Sequence, residues 1–128
     1  MDNREIDKLI AMNLFGWKKW KLQNPSRIPG QVAFEYETLV PPEYDGSNLQ
    51  HLNMIIPHYS TDIAAAWQII EKLKDEKRYG HPDAGFTLEY DNYHKVWRAE
   101  FGWTPEQDNS PSMAICLATL KAVGIEGD

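Results

Sequence analysis

Apolar positions along this chain recur in two rhythms, one helical and one alternating. Residues 3 to 14 carry Ile6, Leu9, Ile10 and Leu14 at helical spacing, which predicts a helix capped by Asp2 or Asn3 and stopped at Gly16. GWKKWKLQNPSRIPG (16–30) holds two prolines and two glycines and reads as loop after a short turn. QVAFEYETLV (31–40) alternates Val32, Phe34 and Tyr36 against Ala33 and Glu35, the pattern of a strand. PPEYDGSNLQ then has turn chemistry, and LNMIIPHY (52–59) predicts a short strand ended by Pro57.

A second helix is expected from near Ser60 to about Lys77, with Ile63, Ala66, Trp67, Ile70 and Leu73 on its core face. YGHPDAG reads as a turn. FTLEY and KVWRAEF flank DNYH and predict an antiparallel hairpin, its core face formed by Trp97, Ala99 and Phe101 on the second strand. The polar stretch TPEQDNSP reads as a loop. Ser110 as cap and Pro111 at the first position then start a last helix, with Met113, Cys116, Leu117, Leu120 and Val123 as its buried stripe and Gly124 at its end.

These elements predict an α+β fold: a small, mainly antiparallel sheet packed with about three helices. No repeat or linker divides the chain, so residues 1–128 are expected to form a single domain. Apolar residues make up 42% and charged residues 25%, an ordinary globular balance. No apolar run approaches the ~20 residues of a membrane helix. The N-terminal stretch is charged throughout, so export is not expected. The single cysteine, Cys116, cannot form an internal disulfide, which fits a reducing cytoplasm.

The formal net charge is −6, from 13 basic and 19 acidic residues. That field disfavours duplex nucleic acid, yet a local lysine cluster can outweigh it within a Debye length of ~8 Å. GWKKWK supplies such a cluster. Trp17 and Trp20 bracket Lys18 and Lys19, with Lys21 following, and indole faces with ammonium groups suit a nucleobase-and-phosphate ligand. The alternative is that both tryptophans anchor a loop in the core while the lysines are solvated, the commoner arrangement for these residue types.

YSTDIAAAW (59–67) raises a parallel question. Ser60 or Thr61 can cap the helix, and Asp62 is favoured at its N-terminus. A phosphate could use the same amides, but the Asp62 carboxylate opposes it. Ala64, Ala65 and Ala66 leave a slim first turn that something approaches closely. Cys116, flanked by Ile115 and Leu117, reads as a buried structural thiol. His51, His58, His81 and His94 lack zinc-site spacing, and no hydrolase elbow, phosphate loop or dinucleotide fingerprint occurs. No metal, cofactor or catalytic residue is expected.

REIDKLIA, a following Gly-Trp pair, PPEYDGS, YSTDIAAAW with IIEKLK, and PSMAICLATLKAVG recur in that order across nearly the whole chain. In these motifs the sequence resembles the phage ABA sandwich domain proteins, small proteins of phages and prophages of Gram-positive bacteria. QNPSRIPGQVAFEYE matches that pattern least, so its strand rests on alternation alone. The resemblance implies an α/β/α sandwich with helices on both faces of the sheet, and a phage accessory protein in the host cell cytoplasm. It brings no activity and no catalytic residues.

By association with that context, the expected function is anti-defence: non-catalytic sequestration of a small nucleotide-derived immune signal by a homo-oligomer. The alternative is a protein–protein inhibitor of a host or defence protein; a small hydrolase is the third reading. A ligand site would draw on Trp17, Lys18, Trp20, Tyr59, Ser60, Thr61 and Trp97.

Overall fold

The computed structural model describes residues 2–24, 34–44, 55–76, 85–102 and 104–125. The elements run α1 (Asn3–Leu14), β1 (Lys18–Asn24), β2 (Phe34–Val40), α2 (Ile63–Glu76), β3 (Phe86–Asp91), β4 (Val96–Phe101), β5 (Thr104–Asp108) and α3 (Pro111–Ala122). The fold is α+β, with three helices among the described residues. Among the described residues the strands form two antiparallel sheets, β1-β2 and β3-β4-β5. The chain divides into two compact units, Phe15–Ile55 on one hand and Met1–Leu14 with Ile56–Asp128 on the other.

In the larger unit, α3 is the centre. Its N-cap is Ser110, whose side chain accepts the Met113 N–H at 3.3 Å and whose own N–H donates to Asp108 Oδ2 at 2.9 Å. The helix ends as a Schellman motif: Gly124 takes φ +86, the Ile125 N–H reaches the Leu120 carbonyl at 2.7 Å, and the Gly124 N–H reaches that of Lys121 at 3.1 Å. Between these caps Ala114, Ile115, Cys116, Ala118, Thr119 and Leu120 are buried.

Burial on so many sides exceeds the predicted stripe, of which Cys116 and Leu120 are buried while Met113, Leu117 and Val123 are only half-buried. The reason is position. One side of α3 packs on β4 and β5, and α1 and α2 pack on α3. α1 and α2 therefore rest their apolar faces on α3, the helix that covers β4 and β5. Thr119, fully buried, keeps its hydroxyl satisfied by donating to the Ile115 carbonyl at 2.7 Å.

α1 is capped by Asp2, whose Oδ1 accepts the Glu5 N–H at 2.8 Å, and buries Ile6, Asp7, Ile10, Ala11 and Leu14. α2 is capped by Asp62 itself, which accepts the Ala64 N–H at 3.0 Å, so neither Ser60 nor Thr61 is the cap. The buried residues of α2 are Ala65, Ala66, Ile69, Ile70 and Leu73, whereas Ile63 and Trp67 stay 46% and 49% exposed. Ala66, Ile70 and Leu73 belong to both possible stripes. The packed neighbour selected the one running through Ala65 and Ile69, and Trp67 is not core.

The β3–β4 hairpin forms where alternation placed it, with Phe86 opposite Phe101 and Leu88 opposite Ala99. Ala99 and Phe101 are fully buried. Two stretches read as loop are strands. KKWKLQN is β1 and TPEQD is β5, the latter turning off β4 at Gly102, which takes φ +62. β5 lacks the apolar alternation of a strand because its inward residues are polar; Glu106, opposite Ala99, pairs with Lys121 of α3 at 3.4 Å.

Residues 55–58 carry no strand, contrary to the reading of LNMIIPHY, whose residues 52–54 lie outside the described set. So do residues 31–33 of the predicted strand, most of YGHPDAG, Lys77, His51 and His81.

Candidate functional site

β1 makes GWKKWK a two-sided object. Strand side chains alternate, so Lys18 and Trp20 share one face while Lys19 and Lys21 take the other. Pairing with β2 sets Lys18 opposite Val40, Trp20 opposite Thr38 and Lys21 opposite Glu37. On the lysine face, Lys19 lies 3.9 Å from Glu37, an exposed ion pair of little energetic weight.

On the other face, residues 41–44 turn so that the Tyr44 N–H reaches the Pro41 carbonyl at 3.1 Å. The turn delivers Tyr44, which is buried, edge-on to Trp20 with ring centroids 5.0 Å apart and planes at 87°. Lys18 Nζ stands 5.2 Å from the centre of the Trp20 ring and 3.4 Å from the Pro42 carbonyl oxygen. Gly16, at φ +74, begins the approach; a Cβ there would touch the Pro42 ring at 3.4 Å. The result is a half-exposed indole, fixed from one side by a buried phenol, with one ammonium over it. Trp17 is half-buried just before the strand.

The other named residues lie in the larger unit. Tyr59 and Ser60 are 2% and 1% exposed. The Ser60 N–H donates to Asp7 Oδ1 at 2.8 Å, and its hydroxyl donates to the Asn3 carbonyl at 3.1 Å. Asp7, itself fully buried, pairs with Arg4 at 2.7 Å, and Arg4 also reaches the Ile56 carbonyl at 3.1 Å and His58 Nδ1 at 3.1 Å. Tyr59 and Ser60 are thus held inside the fold, and only Thr61 of that trio is exposed. Trp97, half-buried on β4, faces Tyr90 with ring centroids 5.2 Å apart.

Burial, then the Asp7 charge, then Cys116 push the Tyr59 phenol up to about 12. Burial and then Asp7 push the Cys116 thiol well above the usual range. Neither group is poised for chemistry. Among the described residues no group of three His, Cys, Asp or Glu side chains could hold a metal ion. No helix among them is long and apolar enough to cross a membrane.

Of the seven candidates, the fold thus brings Lys18 and Trp20 together. Sequence reasoning missed Tyr44, which becomes visible once β1 is read as the hairpin partner of β2. It also missed Asp7, although position 7 falls on the apolar stripe of α1 with Ile10 and Leu14, the signal of a buried carboxylate.

The family model of the phage ABA sandwich domain matches residues 8–120. Among solved structures, a phage protein from Bacillus cereus ATCC 14579 is similar over 96% of this chain and 92% of its own. The TM-score is 0.52 and the identity 21%, a likeness that shows the fold alone. No curated protein matches the chain.

Proposed function

This chain belongs to the phage ABA sandwich domain family, and on that premise we propose that it is a non-catalytic anti-defence protein. Its role is to bind and sequester a small nucleotide-derived immune signal in the host cell cytoplasm. The observation that carries this reading is the Lys18–Trp20–Tyr44 arrangement. Stacking of a base on an aromatic side chain is worth about 1–3 kcal/mol. Tyr44 holds the indole in place, so less ordering accompanies binding. A base seated on Trp20 takes the ring face over which Lys18 stands, and the ammonium swings to the phosphate.

The acidic whole supports a small ligand over a polyanion, since net charge −6 repels the latter at long range.

Calorimetry with cyclic oligonucleotides and ADP-ribose derivatives tests the proposal. Saturable heat is expected with the wild type and none with Trp20→Ala, provided circular dichroism shows that variant folded. Recovery of the nucleotide intact by chromatography separates sequestration from hydrolysis. Absence of heat with every compound sinks the reading. The second reading, inhibition of a host or defence protein, is favoured by the exposure of Trp67, Tyr90 and Tyr93. A stoichiometric partner captured from host lysate, together with silent calorimetry, would put it first.

A further inference from the structure

The three-stranded sheet has two edges, and they are unlike. β5 is short and carries Pro105, a residue that discourages further pairing. β3 reads FTLEYD, with no proline and no lysine, and among the described residues no strand pairs with its outer side. Thr87, Glu89 and Tyr90 on it are exposed, and Phe86 and Leu88 only half-buried.

The backbone direction along β3 follows from the bonds at its ends. The Gly102 N–H donates to the Gly85 carbonyl at 3.2 Å, and that of Lys95 donates to the Asp91 carbonyl at 2.8 Å. Gly85 and Asp91 thus face β4, and antiparallel alternation turns Thr87 and Glu89 the same way. The N–H and C=O groups of Phe86, Leu88 and Tyr90 point outward.

We infer that β3 is a homodimerisation edge, on which a second copy's β3 pairs antiparallel about a two-fold axis at Leu88. This register sets Leu88 opposite Leu88 and Phe86 opposite Tyr90, so every outward backbone group exchanges its bonds. On the face toward α3 it joins the Phe86 and Tyr90 rings of the two copies across the seam. On the other face Thr87 meets Glu89, a hydroxyl against a carboxylate. Moving the axis to Glu89 would oppose two carboxylates, and moving it to Thr87 would pair fewer residues. Self-complementarity at one register is what a two-fold interface requires, and it commits the edge to a second copy of this chain.

Sedimentation of the intact protein over a concentration series tests this, with variants at Thr87. The wild type is expected to show monomer–dimer equilibrium. Thr87→Glu places like charges opposite Glu89 twice by symmetry and should weaken the dimer roughly tenfold, whereas Thr87→Lys should tighten it. Because Thr87 also lies opposite Glu100 of its own chain, urea unfolding of each variant measures the effect on the single chain separately. Amide exchange by NMR is the second readout. Phe86, Leu88 and Tyr90 amides should gain protection as concentration rises. A monomer at all concentrations up to about 1 mM, equal dimer affinity in both variants, or a dimer in which those amides still exchange freely would overturn the inference.

Discussion

The carboxylate of Asp7 accepts the backbone N–H of Ser60 at 2.8 Å across a separation of 53 residues. With Arg4 on its second oxygen at 2.7 Å, this buried group ties the segment that enters α2 to the first helix of the chain. A fully buried carboxylate is tolerated because both oxygens are engaged.

Removing it should therefore be costly. Asp7→Ala leaves the Ser60 N–H and the Arg4 guanidinium without this acceptor and should destabilise by about 3 kcal/mol in urea unfolding. Asp7→Asn keeps an acceptor for Ser60 and should cost clearly less. Equal losses in the two would mean that the Ser60 bond contributes little.

The rotation of the buried face of α2 gives a second contrast. Trp67→Ala should cost about 1 kcal/mol or less, because half of the indole is already in water. Leu73→Ala, at a fully buried position, should cost about 2–5 kcal/mol. Thermal or denaturant melts of the pair decide which face is core.

Alkali should loosen the fold through Tyr59. Its folded value is raised from 10.0 to about 12, so the unfolded chain gives up this proton first. The associated stability is fully present below pH 10 and is lost as pH rises toward about 12. The urea midpoint of the wild type should fall across that window, and that of Tyr59→Phe should fall less. Cys116 acts in the same direction. Its thiol should resist a maleimide or disulfide reagent in the native protein and react promptly once urea unfolds the chain.

The split of GWKKWK across two strand faces makes the proposed ligand site specific about its cation. Lys18→Ala should weaken nucleotide binding by about tenfold, the loss of one charge-assisted contact. Lys19→Ala and Lys21→Ala, on the far face, should change it about twofold or less, the small effect of exposed charges. Titration of all three variants with the same compound checks this, and an effect of Lys21 equal to that of Lys18 would move the site off the Trp20 face.

The local signals in the chain are strong where one residue's chemistry suffices. Ser110 and Pro111 start α3 whatever surrounds them, Gly124 supplies the left-handed residue that stops it, and alternation around DNYH can only close as a hairpin. The residues in YSTDIAAAW announce a helix start in the same way, yet not which of them caps it. Asp62 does so because Ser60 is drawn inward to Asp7 and Asn3, partners far away in sequence.

Chain chemistry alone therefore determined the three helices among the described residues, the β3–β4 hairpin and the burial of Cys116. Tertiary structure decided the rest, because it depends on which neighbour covers which face. β1 and β5 are strands through their partners: β1 alternates only at Trp20 and Leu22, too briefly to announce a strand amid its lysines, and TPEQD has no apolar alternation at all. Trp67 is exposed because α2 turns Ala65 and Ile69 inward. Lys18 and Trp20 form a pair, and Lys19 and Lys21 do not join it, because pairing with β2 imposes a period of two.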